Sequence, residues 1–179
     1  MKRKIWLLVK ISLLVIIVLY FYNYYNGTIN SSPENTNQDT VTNTSELNLA
    51  ENFTLTDSNG NQVSLTDFRG KNVYINFWAS WCGPCKSEMP DIQKISQEYK
   101  DDLIVLAVNV GDSQNTVQDF ITQNNYDFTV LLDTNMDVAR QYQITTIPVS
   151  IFINKDGVII SKRIGAISES QMKSYIEKL

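Results

Sequence analysis

The sequence predicts an α/β domain built on a mixed central sheet with helices on both faces, preceded by one N-terminal transmembrane helix. Three observations carry this prediction. Between Leu47 and Leu179, short runs rich in β-branched and aromatic residues alternate with segments whose apolar residues recur at helical spacing. The two cysteines of the chain, Cys82 and Cys85, stand three positions apart where one such run gives way to a helix. The chain starts with a basic cluster followed at once by an apolar stretch. The expected organisation is therefore a cytoplasmic stub and membrane anchor at residues 1–25, a disordered polar tether at 26–46, and a folded domain at 47–179.

Met1-Lys2-Arg3-Lys4 leads into a largely apolar segment from Ile5 to Tyr25, interrupted mainly by Lys10, Ser12 and Asn23. As a helix this segment spans roughly 31 Å, close to the ~30 Å hydrocarbon core of a bilayer. Lys10 is near enough to the basic end to snorkel. Tyr20, Phe21, Tyr22, Tyr24 and Tyr25 suit an aromatic belt at the far interface. No lysine or arginine occurs from Ile11 to Phe68, so the positive-inside rule places the N-terminus in the cytoplasm and the rest outside. A cleaved signal peptide is the competing reading, but tyrosines and Asn23 stand where small cleavage-site residues belong. The expected location is the cell membrane, single-pass, with an extracytoplasmic domain.

Asn26 to Glu46 is dominated by Asn, Thr and Ser and has almost nothing to bury, which predicts a tether with a reach on the order of 25 Å. Asn-X-Thr/Ser triplets such as those at Asn26, Asn43 and Asn52 are ordinary in so Asn- and Thr-rich a sequence. The chain as a whole carries a net charge of −4 and has no concentrated basic patch beyond the N-terminus, so nucleic acid is a poor candidate partner.

The domain opens with an alternating strand, Phe53 to Thr56, turned by Asp57-Ser58-Asn59-Gly60 into a short return strand over Gln62 to Leu65. Val73 to Trp78 reads as a central strand. A helix from Cys85 to about Tyr99 carries Met89, Ile92, Ile95 and Tyr99 at helical spacing, with Pro90 expected to kink it. Leu103 to Val108 is continuously apolar, the mark of a strand covered on both faces. A helix near Ser113 to Asn124, a strand around Phe128 to Leu132 and a short helix from Met136 to Tyr142 follow. Ile147 to Ile153 reads as a strand, which Lys155-Asp156-Gly157 turns into Val158-Ile159-Ile160. Ser168 is placed to cap a last helix carrying Met172, Tyr175, Ile176 and Leu179.

Residues three apart on a helix share a face one turn apart, so the sulfurs of Cys82 and Cys85 can meet with little chain movement. Cys82, at the helix start, also feels the positive end of the helix dipole, which favours a thiolate. The thiolate is the form that attacks disulfides. Three other readings compete. A structural disulfide across so short a loop stabilises little. A zinc site needs about four ligands, and the chain has no histidine and no second cysteine pair. Two unrelated buried thiols are the third, disfavoured by Trp-Cys-Gly-Pro-Cys at a strand–helix junction.

With these motifs in place the domain closely resembles the thioredoxin superfamily, in particular its membrane-tethered, extracytoplasmic branch of cytochrome-maturation type. The residues that carry the resemblance are Leu65-Thr66-Asp67-Phe68-Arg69-Gly70-Lys71, Val73 to Trp78 running into Trp81-Cys82-Gly83-Pro84-Cys85, Glu88-Met89-Pro90, Thr146-Ile147-Pro148 and Asp156-Gly157. It implies a thioredoxin-like fold over residues 47–179 and a cis proline at Pro148 lying against the cysteine pair. It further implies that Ile147 backbone groups pair with an extended substrate segment, a form of strand addition. On this reading Trp81, Gly83, Pro84, Ile147 and Pro148 form the substrate-binding surface around Cys82 and Cys85. Cytoplasmic-type members carry a buried aspartate six positions before the first cysteine; this chain has Asn76 there, which does not titrate. Glu88, one turn beyond Cys85, matches a glutamate of the tethered branch. It is expected to tune the thiols and to take the proton from Cys85.

The expected function is thiol–disulfide exchange by a tethered reductase, with the Cys82–Cys85 disulfide as its only redox group and no other cofactor. Gly83-Pro84 matches the intervening pair of reducing thioredoxins, whose potentials lie around −270 mV. The resemblance implies a membrane electron-donor protein of cytochrome-biogenesis type. It also implies an exported disulfide substrate, such as the Cys-X-X-Cys of an apocytochrome c before haem attachment. A disulfide-forming oxidase or isomerase uses the same residues and differs in potential. A non-catalytic binding module of the same fold has no use for the cysteine pair. A peroxidase lacks its Pro-X-X-X-Thr-X-X-Cys approach here.

Overall fold

The structure is a computed structural model that describes residues 14–24 and 48–179. The expected stub and the whole of the tether at 26–46 lie outside the described residues. The chain divides into two units, residues 1–43 and residues 44–179.

In the first unit, residues 14–24 form a helix, α1, whose side chains are exposed. Among the described residues no helix is long and apolar enough to cross a membrane. The rest of the apolar stretch from Ile5 to Tyr25 lies outside the described residues.

The second unit is built on one seven-stranded sheet in the order β2-β1-β5-β4-β3-β6-β7. The strands are β1 (Thr54–Asp57), β2 (Gln62–Ser64), β3 (Asn72–Trp78), β4 (Leu103–Val110), β5 (Thr129–Asp133), β6 (Val149–Ile153) and β7 (Ile159–Ile164). β3, β4 and β5 run parallel, while β1, β2, β6 and β7 join antiparallel at the two sides. The sheet is therefore mixed, as expected. β3 sits at its middle because nearly every residue from Val73 to Trp78 is apolar and fully buried, with Asn76 the one polar exception.

The helices are α2 (Gly83–Glu98), α3 (Gln114–Asn124), α4 (Asp137–Gln141) and α5 (Glu169–Ile176), with a 3-10 turn at Leu65–Phe68. The two-residue period of β3 divides its side chains between two cores. Tyr74 and Trp78 join Met89, Ile92 and Ile95 of α2, Val117 of α3 and Met172 of α5 on one face. Ile75 and Phe77 join Leu65, Val138, Tyr142 and Ile151 on the other. Ser113 and Ser168 cap α3 and α5, each accepting a hydrogen bond from a backbone N–H three residues on.

α2 begins at Gly83, two residues earlier than the spacing indicates, and runs on through Pro90. β6 begins at Val149 rather than Ile147, because Pro148 has no N–H for the ladder; the Ile147–Pro148 peptide bond is cis. Gly157, at φ 82°, takes the left-handed turn of the β6–β7 hairpin.

Candidate active site

The site grows from the end of β3. The chain leaves Trp78 through Ala79-Ser80-Trp81 and enters α2 with Cys82 as the N-cap. Cys82 Sγ accepts a hydrogen bond from the Cys85 N–H at 3.2 Å. Pro84 lies in the first turn, where its missing N–H leaves no intrahelical bond unmade. A disulfide joins Cys82 and Cys85, whose Cα atoms are 5.3 Å apart. The pair is asymmetric: Cys82 keeps 5% of its surface, Cys85 none, and the Trp81 between loop and helix is 70% exposed.

The loop that carries Cys82 is tied down from the side. Asp112, just beyond β4, accepts hydrogen bonds through Oδ2 from the Ser80 N–H at 2.7 Å and from Asn109 Nδ2 at 2.9 Å. Its own N–H donates to Asn109 Oδ1 at 3.2 Å. No local signal in the sequence marks Asp112, since it acts on a residue 32 positions away.

Opposite the disulfide stands the cis Ile147–Pro148 bond. Ile147 O lies 3.9 Å from Cys82 Sγ, a contact rather than a hydrogen bond because a disulfide sulfur has no proton. Between these parts runs a groove of about 530 Å³, walled by Trp81, Pro84, Val110, Met136, Ile144 and Ile147, with Cys82 and Gly83 on its lining. Apart from Cys82 the lining has no ionisable side chain. Met136, the N-cap of α4 and close to the helix start expected from the sequence, faces this groove and is 46% exposed. It is held at φ 60° by its N–H bond to Asp133 O at 3.0 Å. The Asp133 carboxylate in turn accepts from the Val138 and Ala139 N–H groups that open α4.

Behind the disulfide, on the face of α2 turned to the sheet, Glu88 is 2% exposed. Its Oε1 accepts from Asn76 Nδ2 at 2.8 Å and its Oε2 from the Ile167 N–H at 3.0 Å. Burial pushes the Glu88 carboxyl above the usual carboxylate range; the hydrogen bonds from Ile167 and Asn76 oppose that, and the charge of Asp91 adds to it. Burial and the neighbouring Glu88 hold the Tyr74 phenol far above its ordinary value, so it remains neutral. Among the described residues no cluster of acidic, cysteine or histidine side chains is placed to hold a metal ion.

Cys82, Cys85, Trp81, Gly83, Pro84, Ile147 and Pro148 are thus brought together, and Glu88 stands one helical turn behind the pair. A disulfide at the N-terminus of a helix, set beside a cis proline on a mixed sheet of this order, defines a thioredoxin-fold thiol–disulfide oxidoreductase. The chain belongs to the Redoxin family, which matches it over residues 44–178. It is 32% identical over 178 residues to the thiol-disulfide oxidoreductase ResA of Bacillus subtilis (strain 168), covering 98% of this chain and 94% of that protein. Among solved structures it is similar to StoA from Bacillus subtilis, at 30% identity and a TM-score of 0.63 over 72% of this chain and 98% of that one. A putative thiol:disulfide interchange protein DsbE from Chlorobium tepidum matches with a TM-score of 0.69 and 30% identity, over 73% of this chain and 94% of that one. The chain is an enzyme of redox chemistry whose working group is the Cys82–Cys85 disulfide.

Proposed function

We propose that this oxidoreductase is a membrane-anchored reductase of disulfides in exported proteins, with the Cys-X-X-Cys of an apocytochrome c, reduced before haem attachment, as its substrate. The observation that carries the reading is the division of labour in the pair: Cys82 borders an open groove while Cys85 is wholly buried, in front of a buried carboxyl. Reduced Cys82, as the thiolate, attacks one sulfur of the substrate disulfide, and the other substrate sulfur leaves with the electron pair. Cys85 then loses its proton to Glu88 and attacks Cys82 Sγ, which releases the reduced substrate and restores the Cys82–Cys85 disulfide. Two electrons have passed to the substrate, so a membrane electron-donor protein must return two.

Trp81, Gly83, Pro84, Ile147 and Pro148 hold the extended substrate segment along the groove. The positive-inside charge pattern around Ile5 to Tyr25 supports an anchor with the domain outside the cytoplasm. The direction of electron flow is tested by equilibrating the full chain in detergent with dithiothreitol and glutathione buffers. A potential well below about −200 mV is expected; a value near ~−120 mV would overturn the reductase and make the protein a disulfide-forming enzyme.

A further inference from the structure

A chain of buried polar groups leads from the sheet to the carboxyl behind the disulfide. The Tyr74 hydroxyl lies 3.0 Å from Ser150 Oγ, Asn76 Nδ2 lies 3.4 Å from the same oxygen, and Asn76 Nδ2 donates to Glu88 Oε1 at 2.8 Å. Tyr74, Asn76 and Ser150 are fully buried and Glu88 nearly so. Yet Asn76 Oδ1 has no hydrogen-bond partner among the described residues, which is rare for a buried amide oxygen. The unpartnered atom belongs to the one side chain that holds the carboxylate.

We propose that Asn76 is a positioning residue for Glu88: its side-chain amide turns over when the carboxyl takes up a proton, so that the carboxyl keeps a hydrogen-bond partner in both of its states. An amide presents two donors at one end and an acceptor at the other in nearly the same shape, so turning it disturbs no packing. With Glu88 ionised, the Asn76 amide donates to Oε1 and the Ile167 N–H to Oε2, the arrangement seen. With Glu88 protonated on Oε1, its O–H donates to the turned-over Oδ1. The Ser150 hydroxyl donates to the same oxygen, and the Tyr74 hydroxyl donates to Ser150 Oγ. The only proton that changes owner is the one Glu88 receives from the Cys85 thiol. One end of the amide lacks a partner in either orientation.

The ionisable groups around the carboxyl leave this task to Asn76. Tyr74 faces it from β3, Asp91 from the next turn of α2, and Cys85 from the turn before. β6 and the segment leading into α5 contribute only Ser150 and the Ile167 N–H.

The inference rests on Glu88 as the proton acceptor of the exchange, but its test reads the titration of Glu88 itself in the oxidised full chain, where no exchange takes place. Carbon NMR of the labelled glutamate carboxyls, assigned with Glu88→Gln, gives the midpoint in each variant. Asn76→Ala leaves both forms without their partner; because the bond to the charged form is the stronger, the midpoint is expected to rise by up to about one pH unit, a tenfold gain in proton affinity. Asn76→Ser, which keeps a hydroxyl that donates and accepts, is expected to fall between it and the unmodified chain. The Asn76 side-chain amide resonances of the unmodified chain should shift with the Glu88 midpoint and lose that pH response in Glu88→Gln. A midpoint unmoved in the folded variants, or amide resonances indifferent to the Glu88 titration, would overturn the proposal. Should Asn76→Ala fail to fold, Asn76→Ser and the amide resonances still decide it. A loss of Glu88 as proton acceptor would show instead as unchanged exchange kinetics in Glu88→Gln.

Discussion

Asp112 Oδ2 and the Ser80 backbone N–H meet at 2.7 Å, and through this bond the end of β4 fixes the loop that presents Trp81 and Cys82. The same oxygen also accepts from Asn109 Nδ2. Asp112→Ala therefore frees two donors at once, and leaving such groups unsatisfied costs about 1–3 kcal/mol. We expect a lower urea midpoint together with slower reduction of a peptide disulfide. Asp112→Asn, which keeps an acceptor, should recover part of both. Equal exchange rates in the Ala variant and the unmodified chain would show that the loop holds its place without Asp112.

On the proposed function, the exposure difference between the two cysteines makes Cys82 the attacking and Cys85 the resolving sulfur. Cys82→Ser should abolish disulfide exchange outright, since the sulfur that substrate reaches is gone. Cys85→Ser should form a mixed disulfide with substrate and hold it, because nothing resolves the bond. Non-reducing gel electrophoresis and mass spectrometry separate these outcomes. A trapped complex on Cys85 in the Cys82→Ser variant would reverse the assignment.

Trp81 is so exposed that the fold does not depend on it. Trp81→Ala should move the denaturation midpoint by no more than the ~0.5 kcal/mol of a surface change. On peptides with apolar residues beside the disulfide it should lower kcat/KM, chiefly through KM. Met136→Gln, which puts a polar group in the same groove, should act in the same direction. An unchanged KM in both would remove the groove from the substrate path.

Glu88 gives stability a pH dependence with a definite sign. Its carboxyl is pushed above the unfolded value of 4.5, with burial the main cause. Its contribution is therefore fully present below that value and is lost as pH rises through the folded value. Glu88→Gln has no such loss. Urea midpoints of the two proteins, compared from pH 4 upward in the oxidised state, should move in favour of the variant as pH rises. A difference that runs the other way would mean that the hydrogen bonds from Asn76 and Ile167 outweigh burial.

Ile92 and Met89 form the underside of α2 and are fully buried. Ile92→Ala should destabilise the domain by about 2–5 kcal/mol, as large-to-small core changes do. Far below the new midpoint the variant should still reduce disulfides, because Ile92 touches no reacting atom. Activity lost in parallel with no change in stability would instead place Ile92 in the site.

What could be read from the sequence was what local pattern encodes. The apolar run around β3 and β4, the serine caps of α3 and α5, and the cysteine spacing at the start of α2 all express themselves within a few residues, and each reappears within one or two positions. β7 was harder. It extends to Ile164, whereas only Val158 to Ile160 read as strand, because an edge strand tolerates Lys162, Arg163 and an exposed Ile164 on its open side. The cis bond before Pro148 followed from the family resemblance and not from spacing. Asp112, Met136 and the Ile167 N–H belong to the site through contacts between residues far apart in the chain, for which no periodicity gives a sign. The polarity of Asn76 within an apolar strand was visible, but its partner became so only once α2 was laid across the sheet.

The segment between β7 and α5 touches both halves of the site. The Gly165 N–H donates to Pro148 O at 2.9 Å, and the Ile167 N–H donates to Glu88 Oε2 at 3.0 Å. Two residues of chain, at most about 7 Å of backbone, separate these anchor points. An insertion or a proline in that span would alter the acidity behind the disulfide and the shape of the surface in front of it together. In any engineered exchange of this loop between relatives, proton handling and choice of partner would therefore travel as a single inherited trait.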